Sequence, residues 1–121
     1  MARILIAEDD SSMRQFLAMA LTRAGHEVEV KEDGLAALAA LTGGKPYDLL
    51  LADIIMPGMD GIELSQKAAA ITPAMKIMFI TGFAAVVSQM DESPGENPKV
   101  LAKPFHLKDL VDQVENLLKA A

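Results

Sequence analysis

The chain has no cysteine, which excludes disulfide frameworks, thiolate metal sites and cysteine nucleophiles and agrees with a reducing compartment. Any chemistry falls to oxygen and nitrogen groups. It has no basic stripe either: 11 lysines and arginines are scattered against 17 acids, for a formal charge of -6, so direct nucleic-acid binding is not expected. No apolar run is long or continuous enough to span a bilayer, and no membrane partner is expected. The opening residues, Met1-Ala2-Arg3-Ile4-Leu5-Ile6, run straight into an apolar strand-like segment and reach an acid at Glu8, with no cleavage pattern. The expected location is therefore cytoplasmic. Repeats and low-complexity segments are absent as well.

What is present suits one compact unit. With 121 residues, 51% hydrophobic and 23% charged, the expectation is a single domain over 1–121 with no separate output domain. Arg3 to Ala7 (RILIA), Asp48 to Ala52 (DLLLA) and Lys76 to Thr81 (KIMFIT) read as strands buried on both faces, as a covered parallel sheet requires. Glu27 to Lys31 (EVEVK) and Lys99 to Ala102 (KVLA) are weaker and suit edge positions. Between them lie helical patterns. Met13, Phe16, Leu17, Ala20, Leu21 and Ala24 keep the 3.6 period after the cap candidates Asp10-Ser11-Ser12, with Gly25 as a stop. Leu107, Leu110, Val111, Val114, Leu117 and Leu118 repeat it, with His106 expected to begin that helix. Leu35 to Leu41 and Ile62 to Ala70 are shorter and bounded by breakers, and a short helix around Phe83 to Met90 leads into a loose segment at 91–98. A β-α unit repeated five times implies right-handed crossovers and an open parallel sheet with helices on both faces.

In such sheets, ligands bind beyond the carboxyl ends of the strands. The first strand is followed by Glu8, Asp9 and Asp10, the third by Asp53, the fourth ends in Thr81, and the fifth leads to Lys103. Taken singly, Asp9, Asp10 and Ser11 also read as helix caps, Thr81 as an ordinary strand-end residue and Lys103 as a solvated lysine. Asp53 fits a bland reading less well, because Ile54, Ile55 and Met56-Pro57-Gly58-Met59 separate it from the next helix start at Asp60-Gly61. Three carboxylates in one crevice need compensation, since two unit charges at about 4 Å repel by roughly 4 kcal/mol at an effective dielectric of 20. Hard oxygen ligands suit Mg²⁺, with Thr81 and Lys103 available to the oxygens of a phosphoryl group. That combination suggests phosphoryl chemistry with Asp53 as nucleophile.

These residues carry a resemblance. "AEDD" with Glu8 and Asp9, "ADIIMPGMDG" with Asp53, "FITG" with Thr81 and "KPF" with Lys103 resemble, in order and spacing along essentially the whole chain, the receiver domain of two-component response regulators. The resemblance implies a doubly wound (βα)5 flavodoxin-like receiver fold, a five-stranded parallel sheet with strand order 2-1-3-4-5. It implies phosphorylation of Asp53 by a histidine kinase or histidine phosphotransferase, with Mg²⁺ held by Asp9, Asp53, the backbone carbonyl of Ile55 and, through water, Glu8. Within the family, "DIIMPGMDGIEL", "KIMFITGFAAV" and "VLAKPFHLKDLV" are most similar to the CpdR type, single-domain regulators of alphaproteobacterial cell-cycle pathways. That type implies a Clp-family unfoldase as partner. One departure stands out: many receivers carry an aromatic three residues before the lysine, and here the position is Val100. The expected switch region is therefore Thr81, Phe83 and Val100, with the 91–98 loop.

Other classes fit less well. A pseudo-receiver that binds partners without being phosphorylated conflicts with the intact acids, Thr81 and Lys103. A phosphatase working through an aspartyl phosphate usually needs a second acid two residues after the nucleophile, where this chain has Ile55. A dinucleotide-binding reading fails because Glu8-Asp9-Asp10 replaces the glycine-rich loop. The protein is thus expected to be no enzyme beyond taking up and slowly losing its own phosphoryl group. His26 is expected to sit exposed in a turn, the eight methionines to fill core, and Ala120-Ala121 to form a frayed helix end.

Overall fold

The computed structural model describes residues 2–81, 99–102 and 105–119. The expected helix at 83–90, Phe83, the 91–98 segment, Lys103 and Ala120-Ala121 lie outside the described residues.

Five strands form one parallel sheet: β1 (Arg3–Ala7), β2 (Glu27–Lys31), β3 (Leu49–Asp53), β4 (Lys76–Thr81) and β5 (Lys99–Ala102), in the order β2-β1-β3-β4-β5. The two weak strands are the edges, as their alternation and shortness imply. The described helices are α1 (Ser11–Arg23), α2 (Gly34–Thr42), α3 (Gly61–Ile71) and α4 (Leu107–Lys119). This is a doubly wound α/β fold of the flavodoxin type.

The side-chain alternation of each strand divides the core into two layers. Leu5, Leu50, Ala52 and Phe79 pack with Ala37 and Leu41 of α2 and Leu64 and Ala68 of α3. Ile4, Ile6, Leu49, Leu51, Met78 and Ile80 pack with Leu17 and Leu21 of α1 and Leu110 and Val114 of α4. Because β1, β3 and β4 are buried on both sides, they read as unbroken apolar runs. Each fully buried Leu, Ile or Phe contributes about 1.5–3 kcal/mol relative to exposure. Four methionines, Met56, Met59, Met75 and Met78, are among the buried residues.

Local chemistry sets the helix ends. Asp10, Asp33 and Asp60 each cap a helix by accepting the backbone N–H three residues on, from Met13, Ala36 and Glu63. Gly25, with φ +99°, closes α1 in a left-handed conformation that suits glycine. His106 lies just outside α4, its carbonyl accepting the Leu110 N–H.

Two expectations change. The third strand runs one residue later than the sequence pattern implies, since Asp53 pairs with Ile80 and the Ile54 N–H donates to the Ile80 carbonyl. Asp53 is therefore the strand's last residue. His26 is not exposed: its side chain keeps 8% of its accessibility, with Nδ1 accepting the Ala2 N–H at 3.2 Å and Nε2 3.6 Å from Glu115. The turn reading fails because α4, ninety residues away, covers it.

Candidate functional site

Strand order reverses at β1, which lies between β2 and β3, so the crevice at a doubly wound switch point falls beyond the ends of β1 and β3. Those ends carry the acids. Ala7, the last residue of β1, is in register with Ala52, and the next residue on each chain is Glu8 or Asp53. Adjacent parallel strands in this register thus deliver two carboxylates side by side.

Glu8, Asp9 and Asp53 each offer an oxygen within 4.8 Å of the others. Glu8 is 0% exposed and Asp53 7%, whereas Asp9 faces solvent. Asp10, which the sequence leaves open between cap and ligand, is resolved as the cap of α1, and its neighbour Asp9 joins the cluster. The turn after β1 is tied on both sides. The Glu8 N–H donates to the Lys31 carbonyl, and Arg14 Nη1 on α1 donates to the Glu8 carbonyl at 2.8 Å. Arg14 was not legible as a site residue, because its role rests on a fold-back from α1 and not on any motif.

The Asp53 carboxylate is held by its own chain: the Ile55 N–H donates to Asp53 Oδ1 at 3.2 Å. Ile55, two residues past Asp53, is 49% exposed. Hard oxygens from two or three carboxylates and a carbonyl, with one side open to solvent at Asp9, match the needs of Mg²⁺, which keeps several waters and takes few protein ligands. A buried acid such as Glu8 in that group is costly without a neighbouring cation or proton.

Thr81 ends β4 at 0% exposure, one residue beyond Ile80, the register partner of Asp53. Val100 on β5 is in register with Phe79 and packs, half-buried, against the layer containing Phe79 and Leu50. Phe105, just after the KP pair, meets Phe16 of α1 with ring centroids 6.2 Å apart. The described residues therefore bring Glu8, Asp9, Asp53 and Ile55 together and place Thr81 on the adjoining strand end.

Other features sit elsewhere. A cavity of about 620 Å³ opens at the opposite pole of the sheet, lined by residues including His26, Tyr47, Met75, Glu115 and Leu118, and the acidic cluster has no part in it. Next to the β2 edge, the Tyr47 hydroxyl beside Glu29 holds that carboxyl below its usual value. Burial, reinforced by Glu29, pushes Tyr47 up to about 12. Among the described residues, no helix is long and apolar enough to cross a membrane.

Comparison with known proteins agrees with this geometry. The family model described as the response regulator receiver domain matches residues 4–115. The response regulator receiver protein CpdR of Brucella abortus is 53% identical over 121 residues, covering 100% of both chains. Among solved structures, the receiver domain from hybrid histidine kinase CckA superposes with TM-score 0.80 at 34% identity, over 97% of this chain and 99% of that one. The Vibrio cholerae chemotaxis protein CheY4 superposes with TM-score 0.85 at 27% identity, over 97% and 98%.

Proposed function

The chain belongs to the response regulator receiver domain family, and from that premise we propose that it accepts a phosphoryl group on Asp53 and signals by changing which protein it binds. The observation that carries this reading is the meeting of Glu8, Asp9 and Asp53 at the switch point, with Glu8 and Asp53 buried and Asp9 open to solvent. An Asp53 carboxylate oxygen attacks the phosphorus of a phosphohistidine on a histidine kinase or histidine phosphotransferase. The new P–O bond forms as the P–N bond breaks, and the imidazole leaves with its electron pair to be protonated.

Asp9, Asp53 and the Ile55 carbonyl would hold Mg²⁺, with Glu8 beside them. When bound, Mg²⁺ supplies charge neutralisation for the transferring oxygens. The Ile55 N–H keeps the carboxylate in line, and the Thr81 hydroxyl and the Lys103 ammonium take the remaining phosphoryl oxygens. Phosphorylation adds about -1.5 to -2 charge, and it shifts binding only through its different interaction with two conformations. Thr81, Phe83 and Val100 are the proposed readout.

We further propose that the protein works without an attached output domain and that its partner is a Clp-family unfoldase, making it an adaptor in cell-cycle proteolysis and not an enzyme. The likeness to the Brucella abortus CpdR protein along the whole of both chains supports this finer reading. Incubation with acetyl phosphate and Mg²⁺ should add one phosphoryl mass to the wild type and none to Asp53→Ala. An unchanged wild-type mass would turn the reading into a pseudo-receiver. Retention of the unfoldase by one of the two forms in a pull-down tests the partner, and retention by neither removes it.

A further inference from the structure

Two residues at helix starts near the site, Gly34 and Gly61, are glycines whose conformation does not require glycine. Among the described residues, the glycines with positive φ are Gly25, Gly44 and Gly58. Gly34 and Gly61 are not in that group. Each is the first residue of a helix, α2 and α3, and each follows an aspartate cap. Glycine is a poorer helix former than alanine, so its presence there calls for another cause.

That cause is space. A Cβ on Gly61 would overlap the Asp53 carbonyl oxygen and lie 3.0 Å from both the Asp53 carbonyl carbon and Ile54 Cα. All three are backbone atoms and cannot swing away. A Cβ on Gly34 would lie 2.6 Å from the Met59 carbonyl oxygen and 3.0 Å from Met59 Cβ. The two helices thus close on opposite ends of the same loop, α3 on its start at Asp53 and Ile54, α2 on its end at Met59. The Gly61 N–H also donates to the Ile54 carbonyl at 2.8 Å, which locks the first contact.

We propose that Gly61, with Gly34 behind it, is a positioning residue for the carboxylate site: the missing side chain lets α3 seat against the Asp53 peptide and fixes where the Asp53 carboxylate and the Ile55 carbonyl stand. The chain of contacts is short. Gly61 abuts the Asp53 carbonyl, the same residue's Oδ1 accepts from the Ile55 N–H at 3.2 Å, and Asp53 lies within 4.8 Å of Glu8 and Asp9. A displacement of a few tenths of an ångström at the peptide reaches the ligand oxygens through no flexible element. Small misplacements of a reacting group carry large penalties in rate.

The proposal rests on the phospho-acceptor reading for its rate effect, but not for its effect on geometry or metal affinity. Gly61→Ala, Gly34→Ala and Gly44→Ala are compared with the wild type. Gly44→Ala is the control, because φ +90° strains it while nothing lies within 4 Å of its Cβ, so it loses stability without touching the loop. Below the melting range, Gly61→Ala should shift the Ile54 and Ile55 amide resonances in metal-free protein and weaken Mg²⁺ binding at least tenfold. It should also slow phosphoryl uptake from acetyl phosphate at least tenfold. Gly34→Ala should do the same to a smaller degree, about threefold, and Gly44→Ala should stay within twofold of wild type in Mg²⁺ affinity. A folded Gly61→Ala with wild-type Mg²⁺ affinity and unmoved amides overturns the proposal. If Gly61→Ala does not fold, Gly34→Ala decides, and wild-type affinity there overturns it equally. A wild type that binds Mg²⁺ but takes up no phosphoryl group refutes the phospho-acceptor reading instead, leaving the Mg²⁺ comparison to judge the glycines.

Discussion

Asp9→Asn should make the metal-free protein more stable, although it deletes a residue of the site. Asp9 lies within 4.8 Å of both Glu8 and Asp53, and removing its charge removes two repulsions. At that separation each pair costs about 3.5 kcal/mol at a dielectric of 20 and about 0.9 kcal/mol at that of water. Asp9 is exposed, so the watery value governs, and two pairs give about 2 kcal/mol. Against this stands the loss of a negative charge near the start of α1, about 0.5 kcal/mol. Repulsion wins, leaving a net gain of about 1–1.5 kcal/mol, or roughly 4–6 °C in Tm for a domain of this length. The separations are shorter than the Debye length of about 10 Å at 0.1 M salt, so moderate salt does not erase the effect. The assay is thermal unfolding followed by circular dichroism in EDTA and again with Mg²⁺. At a hundred times its dissociation constant, Mg²⁺ adds about 2.7 kcal/mol to the wild type, and the variant loses most of that gain. The order of stabilities should therefore invert on adding metal. A variant that is less stable than wild type in EDTA, or a ranking that Mg²⁺ leaves alone, would refute the reasoning.

Two neighbouring perturbations should behave differently. Asp10→Ala removes the α1 cap, costing about 1 kcal/mol by urea unfolding. Its Mg²⁺ affinity should stay within twofold of wild type, because under the proposed function Asp9, and not Asp10, is the ligand. Tyr47, whose proton is held up to about 12 chiefly by burial, should give the fold an alkaline limit. Its folded value lies above the unfolded value of about 10, so the contribution is complete below pH 10 and is lost as pH rises through 12. Between pH 10 and 11.5 the wild type should lose about 1–2 kcal/mol more than Tyr47→Phe, and parallel losses in the two would remove Tyr47 as the cause.

Much of this architecture is legible in the sequence because its cause is local. RILIA, LLLAD and KIMFIT are largely apolar runs since both faces of β1, β3 and β4 are covered, and the alternating EVEVK marks an edge strand, none of whose residues is fully buried. The displaced start of β3 shows the limit of pattern. Asp48 and Asp53 flank the same apolar run, and nothing in composition says which carboxylate belongs to the ladder. The pairing of Asp53 with Ile80 decides it. His26 was misjudged for the same reason at longer range: a histidine after a turn glycine looks exposed until α4 brings Glu115 to it. Gly34 and Gly61 are hidden in another way, because glycine beside Asp in a loop reads as turn chemistry, whereas the space it leaves is used by a backbone that arrives from elsewhere.

Strand alternation also orders the proposed site into two halves. Asp53 continues the row of Leu49 and Leu51, which face α1 and α4, and Glu8 continues the row of Ile4 and Ile6 on the same side. Thr81 continues the row of Phe79, which faces α2 and α3, and Val100 is Phe79's register partner on β5 in that same layer. Under the proposed function, the phosphoryl group forms where the rows meet, and Thr81 is the residue through which its arrival is felt on the α2–α3 side. The next side chains in that row are Phe79, fully enclosed, and Val100, half-buried at the edge. An aromatic at position 100 would have two ring poses to choose between. Valine, branched at Cβ, is restricted at χ1 and has neither a ring nor a polar tip. A change at Thr81 therefore has no ring at position 100 to turn, and whatever it transmits on that face must pass through the packing of β4 against β5, where Phe79 and Val100 are register partners.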